Sequence, residues 1–241
     1  MTQPILIAHR GYSAISPENS FLAFELAYQF CFSAVELDVH LTKDQQLVII
    51  HDANTKRTSG LDKVIADQLW KELQNNNQAQ YFRLQTLAQP LMSLEQFFNA
   101  FAAKFNLILI EIKTDVAPYL GIEKQIDRLM QNYQLDLVQK VIFFSSNFAT
   151  LQNLKTLNPR YQLGWFWWTK SQFAAIPKEL IKQVCTHLGP SIKLYEQFLS
   201  SYQQLNLPLI LWMVKNKKTY QKYRHDSKIF GLLSDYQWPK K

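Results

Sequence analysis

Eight short apolar runs alternate with helix-like segments along this chain, and that alternation limits the folds open to it. The runs are ILIA at 5–8, AVELDVHL at 34–41, NLILIEIK at 106–113, KVIFFSS at 140–146, YQLGWFW at 161–167, SIKLY at 191–195, PLILWMV at 208–214 and IFGLLSDY at 229–236. Amphipathic stretches such as FATLQNLKTL and PKELIKQVCTHL separate them. Strands that alternate with helices pair in parallel, and eight such units imply an α/β fold, the closed parallel sheet of a TIM (β/α)₈ barrel. A length of 241 residues suits that architecture as one domain spanning 1–241. The LVII run before His51 stays outside the ring, and the five residues from Gln237 to Lys241 leave little room for an eighth helix.

In such barrels the chemistry gathers at the carboxyl ends of the strands. His9, Glu36, Asp38, Glu111, Lys113, Ser145, Lys193 and Asp235 all fall in or just after a predicted strand. The first fifty residues are the densest. The run at 5–8 ends in His9, Arg10 and Gly11, where glycine permits a sharp turn, and LVII delivers His51 and Asp52. Pro17, Glu18, Asn19 and Ser20 then open a helix capped by Asn19 or Ser20. Glu36 and Asp38 are two apart on a strand and therefore share a face, and Glu111 and Lys113 repeat the spacing. Carboxylates crowded on one buried face repel unless a cation lies between them. An ion-pair network with Arg10 and Lys113 is one answer. Three acids exceed those two cations, however, and oxygen donors suit a divalent ion, Mg²⁺ or Ca²⁺.

The HRG at 9–11, the PEN at 17–19, the ExD at 36–38 and the HD at 51–52 stand in that order within fifty residues, and together they resemble the glycerophosphodiester phosphodiesterase family. PLMSLEQ at 90–96, EIK at 111–113, SSNF at 145–148 and GLLSDY at 231–236 extend the likeness over most of the chain. The resemblance implies metal-dependent hydrolysis of a small glycerophosphodiester to glycerol phosphate and an alcohol. It implies a divalent ion on Glu36, Asp38 and Glu111, with Arg10 and Lys113 adding positive charge. Histidine is the side chain whose unperturbed pKa lies near neutrality, and His9 and His51 are the implied general acid and base. Arg10, Glu18, Asn19, Lys113 and Trp212 are the implied substrate contacts. Where the family has Trp-Thr-Val-Asn, this chain has Trp212, Met213, Val214 and Lys215, so the Asn is missing unless Asn216 takes its place. Two rival readings are a lysophospholipase D or sphingomyelinase D-like enzyme of the same barrel group, and a non-catalytic barrel that binds a phosphoester. Retention of both histidines and all three acids argues against the second.

Composition excludes some partners. The balance of 26 basic to 19 acidic residues gives +7, which could attract phosphate substrates, anionic lipid or nucleic acid. No basic stripe with a recognition motif appears, so the expectation is a solvated basic surface and no nucleic-acid partner. Lys215, Lys217, Lys218, Lys222 and Arg224 read as a solvated helix face. With no apolar run of bilayer length and no leader, the expectation is a cytoplasmic protein without stable membrane insertion. Cys31 and Cys185 fall near the first and fifth helices, on opposite sides of the ring, and are expected to be free thiols. Trp165, Phe166, Trp167 and Trp168 read as core and rim packing rather than a cage for a quaternary ammonium. Asp67 is the expected cap of a short helix near ADQLWKELQ, and Ser93 with Gln96 forms a capping box.

Overall fold

The computed structural model describes residues 3–82, 87–115 and 117–238. Among the described residues ten strands form, in chain order β1 (Ile5–Ala8), β2 (Ala34–Leu41), β3 (Leu47–Ile49), β4 (Met92–Ser93), β5 (Leu107–Ile112), β6 (Val141–Ser145), β7 (Gln162–Trp167), β8 (His187–Pro190), β9 (Leu209–Leu211) and β10 (Ile229–Ser234). All but β3 and β4 pair in parallel, and the β1–β10 and β1–β2 pairings close the eight into a barrel. β3 runs antiparallel along the carboxyl end of β2, and β4 pairs antiparallel with β3. As expected from the sequence, the LVI strand is an arm outside the ring. It carries the chain back from the tip of β2 so that His51 returns to the mouth.

The helices are α1 (Phe21–Gln29), α2 (Lys56–Ser59), α3 (Trp70–Leu73), α4 (Leu94–Phe101), α5 (Ile122–Met130), α6 (Leu135–Lys140), α7 (Phe148–Leu157), α8 (Lys170–Ala175), α9 (Lys178–Val184), α10 (Ile192–Gln203) and α11 (Lys217–Tyr223). Side-chain oxygens of Ser20, Ser93, Asn147, Thr169, Ser191 and Asn216 each accept from a backbone N–H in the first turn, which fixes where these helices start. Ser93 and Gln96 form the expected capping box. Asp67 does not cap α3, which starts from Leu69; it closes a 3₁₀ turn at Ile65–Asp67 instead. Among the described residues no helix follows β10.

The pleat divides each strand between two cores. Phe144 and Phe166 point into the barrel with Ile7, Leu109, Ile142 and Ile210, while Phe143, Trp165 and Trp167 point out against the helices. Phe144 and Phe166 stack with centroids 4.3 Å apart. Their rings fill space that two glycines leave free: a Cβ at Gly164 would lie 2.2 Å from Phe144, and one at Gly189 would lie 2.0 Å from Phe166. Trp165, Phe166 and Trp167 are thus packing residues, and only Trp168 of that run is exposed.

One strand differs from expectation. SIKLY is not the sixth barrel strand: Ser191 caps α10, and Ile192 to Tyr195 form its first turn. The strand is HLGP, paired with β7 and β9. Lys193 is therefore an exposed helical residue and not a strand-end candidate. Cys31 and Cys185 are both free, the first exposed and the second buried.

Candidate active site

The loop that follows β1 builds the floor of the mouth. Gly11 has φ +76°, and a Cβ there would lie 2.7 Å from the Ala23 backbone, so the chain turns tightly against α1 only because this residue is glycine. Arg10 and Asn19 also hold positive φ, at 55° and 54°. Non-glycine residues in that region mark a backbone held in place by its surroundings. The Arg10 N–H donates to Glu36 Oε2 at 2.9 Å, and the Asn19 N–H donates to the Arg10 carbonyl at 2.9 Å.

Glu36 and Asp38 from β2 and Glu111 from β5 converge here, as the two-residue spacing predicts. The register places Asp38 directly beside Glu111. One ligand oxygen from each of the three lies within 4.8 Å of the others, and all three residues are buried. Lys113 reaches back between them, with Nζ 3.0 Å from Asp38 Oδ1 and 2.8 Å from Glu111 Oε1. Arg10 approaches from the other side, its Nε 3.2 Å from Asp38 Oδ2. Asn19 Nδ2 donates to the same oxygen at 2.8 Å. Asn19 is therefore tied to the carboxylate group, and Ser20 is the helix cap.

The electrostatics separate the acids. Burial and the neighbouring Asp38 push the Glu36 carboxyl well above the ordinary carboxylate range. Burial acts on Asp38 in the same sense, but Lys113 and Arg10 outweigh it and hold Asp38 far below that range. A buried carboxyl that ionises only with difficulty beside two others would be relieved by a further cation. One buried acceptor agrees. Among the described residues Asn19 Oδ1 has no donor. An oxygen-only donor set of this kind fits a hard divalent cation.

Both histidines are clamped at Nδ1. His9 Nδ1 donates to Asp235 Oδ1 at 2.7 Å, and Ser13 Oγ donates to that oxygen at 3.0 Å. Burial depresses the His9 pKa, but the Asp235 hydrogen bond and the Glu36 charge outweigh burial and leave it raised. His51 Nδ1 donates to Asp52 Oδ1 at 2.6 Å. In each ring Nε2 is left for other work. A carboxylate that fixes the tautomer and steadies the imidazolium is the arrangement acid–base catalysis requires.

Several contributors are not visible in the sequence pattern. Arg57 in α2 donates from Nε to Asp52 at 2.7 Å and from both terminal nitrogens to Glu18 at 2.9 and 2.7 Å. Glu18 also accepts from Arg10 at 2.9 Å, so it joins the two arginines. Burial raises its pKa, but Arg57 and Arg10 outweigh burial and keep it ionised. Tyr81 donates to Glu18 and lies under the Arg57 guanidinium at 5.5 Å. His40 is a second such case. Its Nε2 donates to the His51 carbonyl at 3.0 Å, and its Nδ1 accepts from Tyr119 at 2.6 Å. Burial drops its pKa to about 4, so a neutral ring fastens His51 to β2. The only sequence hint of this role is that His40 continues the i, i+2 series from Glu36 and Asp38.

A cleft of about 320 Å³ opens beside His9, Arg10, Glu18, Tyr81, Asp235 and Tyr236. Trp212 lies across the mouth, its Nε1 donating to the Gly189 carbonyl at 2.7 Å and its ring 4.8 Å from Trp168; it makes no hydrogen bond to the histidine and carboxylate group. Asn216 does not replace the missing Asn, because its side chain caps α11 and accepts from Thr219. Lys215 is exposed.

Comparison with known proteins bears on the family and the fold. The model of the Glycerophosphoryl diester phosphodiesterase family matches residues 9–237. An uncharacterised protein of Mycoplasma genitalium is 42% identical over 231 residues, covering 96% of this chain and 95% of that protein. A glycerophosphodiester phosphodiesterase of Caldanaerobacter subterraneus is 32% identical over 160 residues, 66% of this chain and 65% of that one. Among solved structures, a phosphodiesterase of Oleispira antarctica in complex with the product sn-glycerol-3-phosphate superposes with a TM-score of 0.82 at 22% identity, covering 97% of this chain and 94% of the other.

Proposed function

The chain belongs to the glycerophosphoryl diester phosphodiesterase family and is a phosphodiester hydrolase, and from that premise we propose that it cleaves small glycerophosphodiesters to glycerol phosphate and an alcohol at this barrel mouth. The observation that carries the reading is the pair of Nδ1-clamped histidines beside three buried carboxylates that lack a full complement of cations. A divalent ion on Glu36, Asp38 and Glu111, Mg²⁺ or Ca²⁺, would supply positive charge to the phosphoryl oxygens and to a substrate hydroxyl. Arg10 and Lys113 add fixed positive charge to the same phosphate, and the fork of Arg10 suits its oxygens. The Nε2 atoms of His9 and His51 exchange the two protons of the reaction, one taken from the nucleophile and one given to the leaving alkoxide. Asp235 and Asp52 hold those rings in the productive tautomer. Glu18 and Asn19 orient Arg10 and Asp38, and Trp212 forms the far wall.

The test is release of glycerol phosphate from a panel of soluble glycerophosphodiesters and of micellar lysolipids, each assayed with chelator and after readdition of Mg²⁺ or Ca²⁺. Turnover of the soluble diesters that stops in chelator and returns with either ion supports the reading. Full turnover in excess chelator, with no metal found by elemental analysis, would sink the metal assignment. Turnover of lysolipid alone would shift the substrate class.

A further inference from the structure

The rim of the mouth is electrically lopsided. Three neighbouring segments leave the carboxyl ends of β7, β8 and β9, and across residues 168–172, 191–195 and 212–219 they carry five lysines and no Asp or Glu. Those lysines, Lys170, Lys193, Lys215, Lys217 and Lys218, are all exposed. Among the described residues none of them is ion-paired; Lys170 lies over the Phe198 ring at 4.9 Å. The segments are adjacent in space: β7 pairs with β8, Ser191 bridges to Trp212, and the Trp168 and Trp212 rings meet at 4.8 Å. Two aromatic side chains stand out from this side of the rim, Trp168 at 51% and Tyr236 at 45% exposure.

From this juxtaposition we infer that the β7–β9 rim is a docking surface for an anionic lipid bilayer. Unpaired lysines on one face are drawn to a negatively charged leaflet, and half-exposed Trp and Tyr beside them are the side chains that settle at headgroup depth. A nucleic acid would use the same charges, but the segments present no row of aromatics at base spacing, whereas a lysine-rich rim with a half-exposed indole matches a lipid interface. The contact is peripheral, since no helix among the described residues is long and apolar enough to cross a membrane. Tyr236 also lines the cleft, so docking sets the edge of the mouth against the leaflet. The inference does not depend on which reaction the mouth performs.

Sedimentation of the full chain with vesicles tests it. The protein should pellet with phosphatidylglycerol-containing vesicles at low ionic strength, much less with pure phosphatidylcholine, and the partition should fall steeply as salt is raised. The triple variant Lys193→Glu, Lys215→Glu, Lys218→Glu should lose about a hundredfold or more in partition. A control with the same change in net charge, Lys43→Glu, Lys124→Glu, Lys228→Glu, should lose far less, because its exposed lysines lie outside the segments that follow β7, β8 and β9. Thermal unfolding of both variants verifies that each is folded. If the rim triple does not fold, Trp168→Ser alone should still weaken the partition severalfold. No difference between phosphatidylglycerol and phosphatidylcholine, equal losses in the two triples, or capture by duplex DNA but not by vesicles would each overturn the inference.

Discussion

Replacing Asp235 with Asn isolates one charge in the proposed proton-transfer machinery. The substitution keeps the shape: the Asn carbonyl oxygen can still accept from His9 Nδ1 and from Ser13 Oγ, which meet Asp235 Oδ1 at 2.7 and 3.0 Å. What disappears is the negative charge that, with Glu36, lifts the His9 pKa against burial. A hydrogen bond to a charged partner is worth about 1.5–3 kcal/mol, against about 1 for a neutral one. The amide can also turn its NH₂ toward Nδ1 and favour the wrong tautomer. Together these put the loss of transition-state stabilisation at about 2–3 kcal/mol, which is about 30- to 150-fold in kcat. Because the charge acts on the imidazolium, the pH limb due to His9 should move to lower pH, while KM and the unfolding temperature change little. Steady-state kinetics from pH 5 to 9, with calorimetry on the same samples, reads all three. A kcat within about threefold of the parent and an unmoved limb would refute a working role for the pair.

Other expectations follow from the same geometry. His9→Ala and His51→Ala should each cut turnover about a hundredfold or more, and the double variant should cost far less than the product of the single losses; parent-like turnover in His51→Ala would remove that residue from the chemistry. His187, at the start of β8, is buried away from the mouth, and burial takes its pKa from 6.5 down to about 4. Since the unfolded chain binds that proton first, this contribution is intact above pH 6.5 and is lost as pH falls toward 4, amounting to about 3 kcal/mol. Urea titrations of His187→Gln should show a shallower acid slope than the parent, and identical slopes would contradict the assignment. Gly189→Ala should destabilise by about 1–3 kcal/mol, because its Cβ meets the Phe166 ring at 2.0 Å; an unchanged denaturation midpoint would show that the stacked rings have room to move.

Local pattern was enough for much of this protein. The two-residue spacings of Glu36 with Asp38 and of Glu111 with Lys113 set their faces whatever the strand packs against, because the pleat has a period of two. Ser93 with Gln96 and the i, i+3 reach of Asn216 are likewise contacts within one turn. The sixth strand escaped because HLGP carries Gly and Pro and has little strand propensity of its own, whereas SIKLY has the apolar look of a strand. HLGP is extended because β7 and β9 leave a gap for it and Gly189 makes room for Phe166. The clamps on the histidines divide the same way. Asp52 is the next residue after His51, but Asp235 reaches His9 across 226 positions, and only closure of β10 onto β1 brings them together. Arg57 and His40 act through bonds to Glu18 and to the His51 carbonyl, and each depends on where a loop folds back over the mouth. Sequence thus determined which chemical groups the chain presents and on which faces. Tertiary structure decided which of them meet, because hydrogen bonds and ion pairs act over a few ångströms while the residues that make them are scattered along the chain.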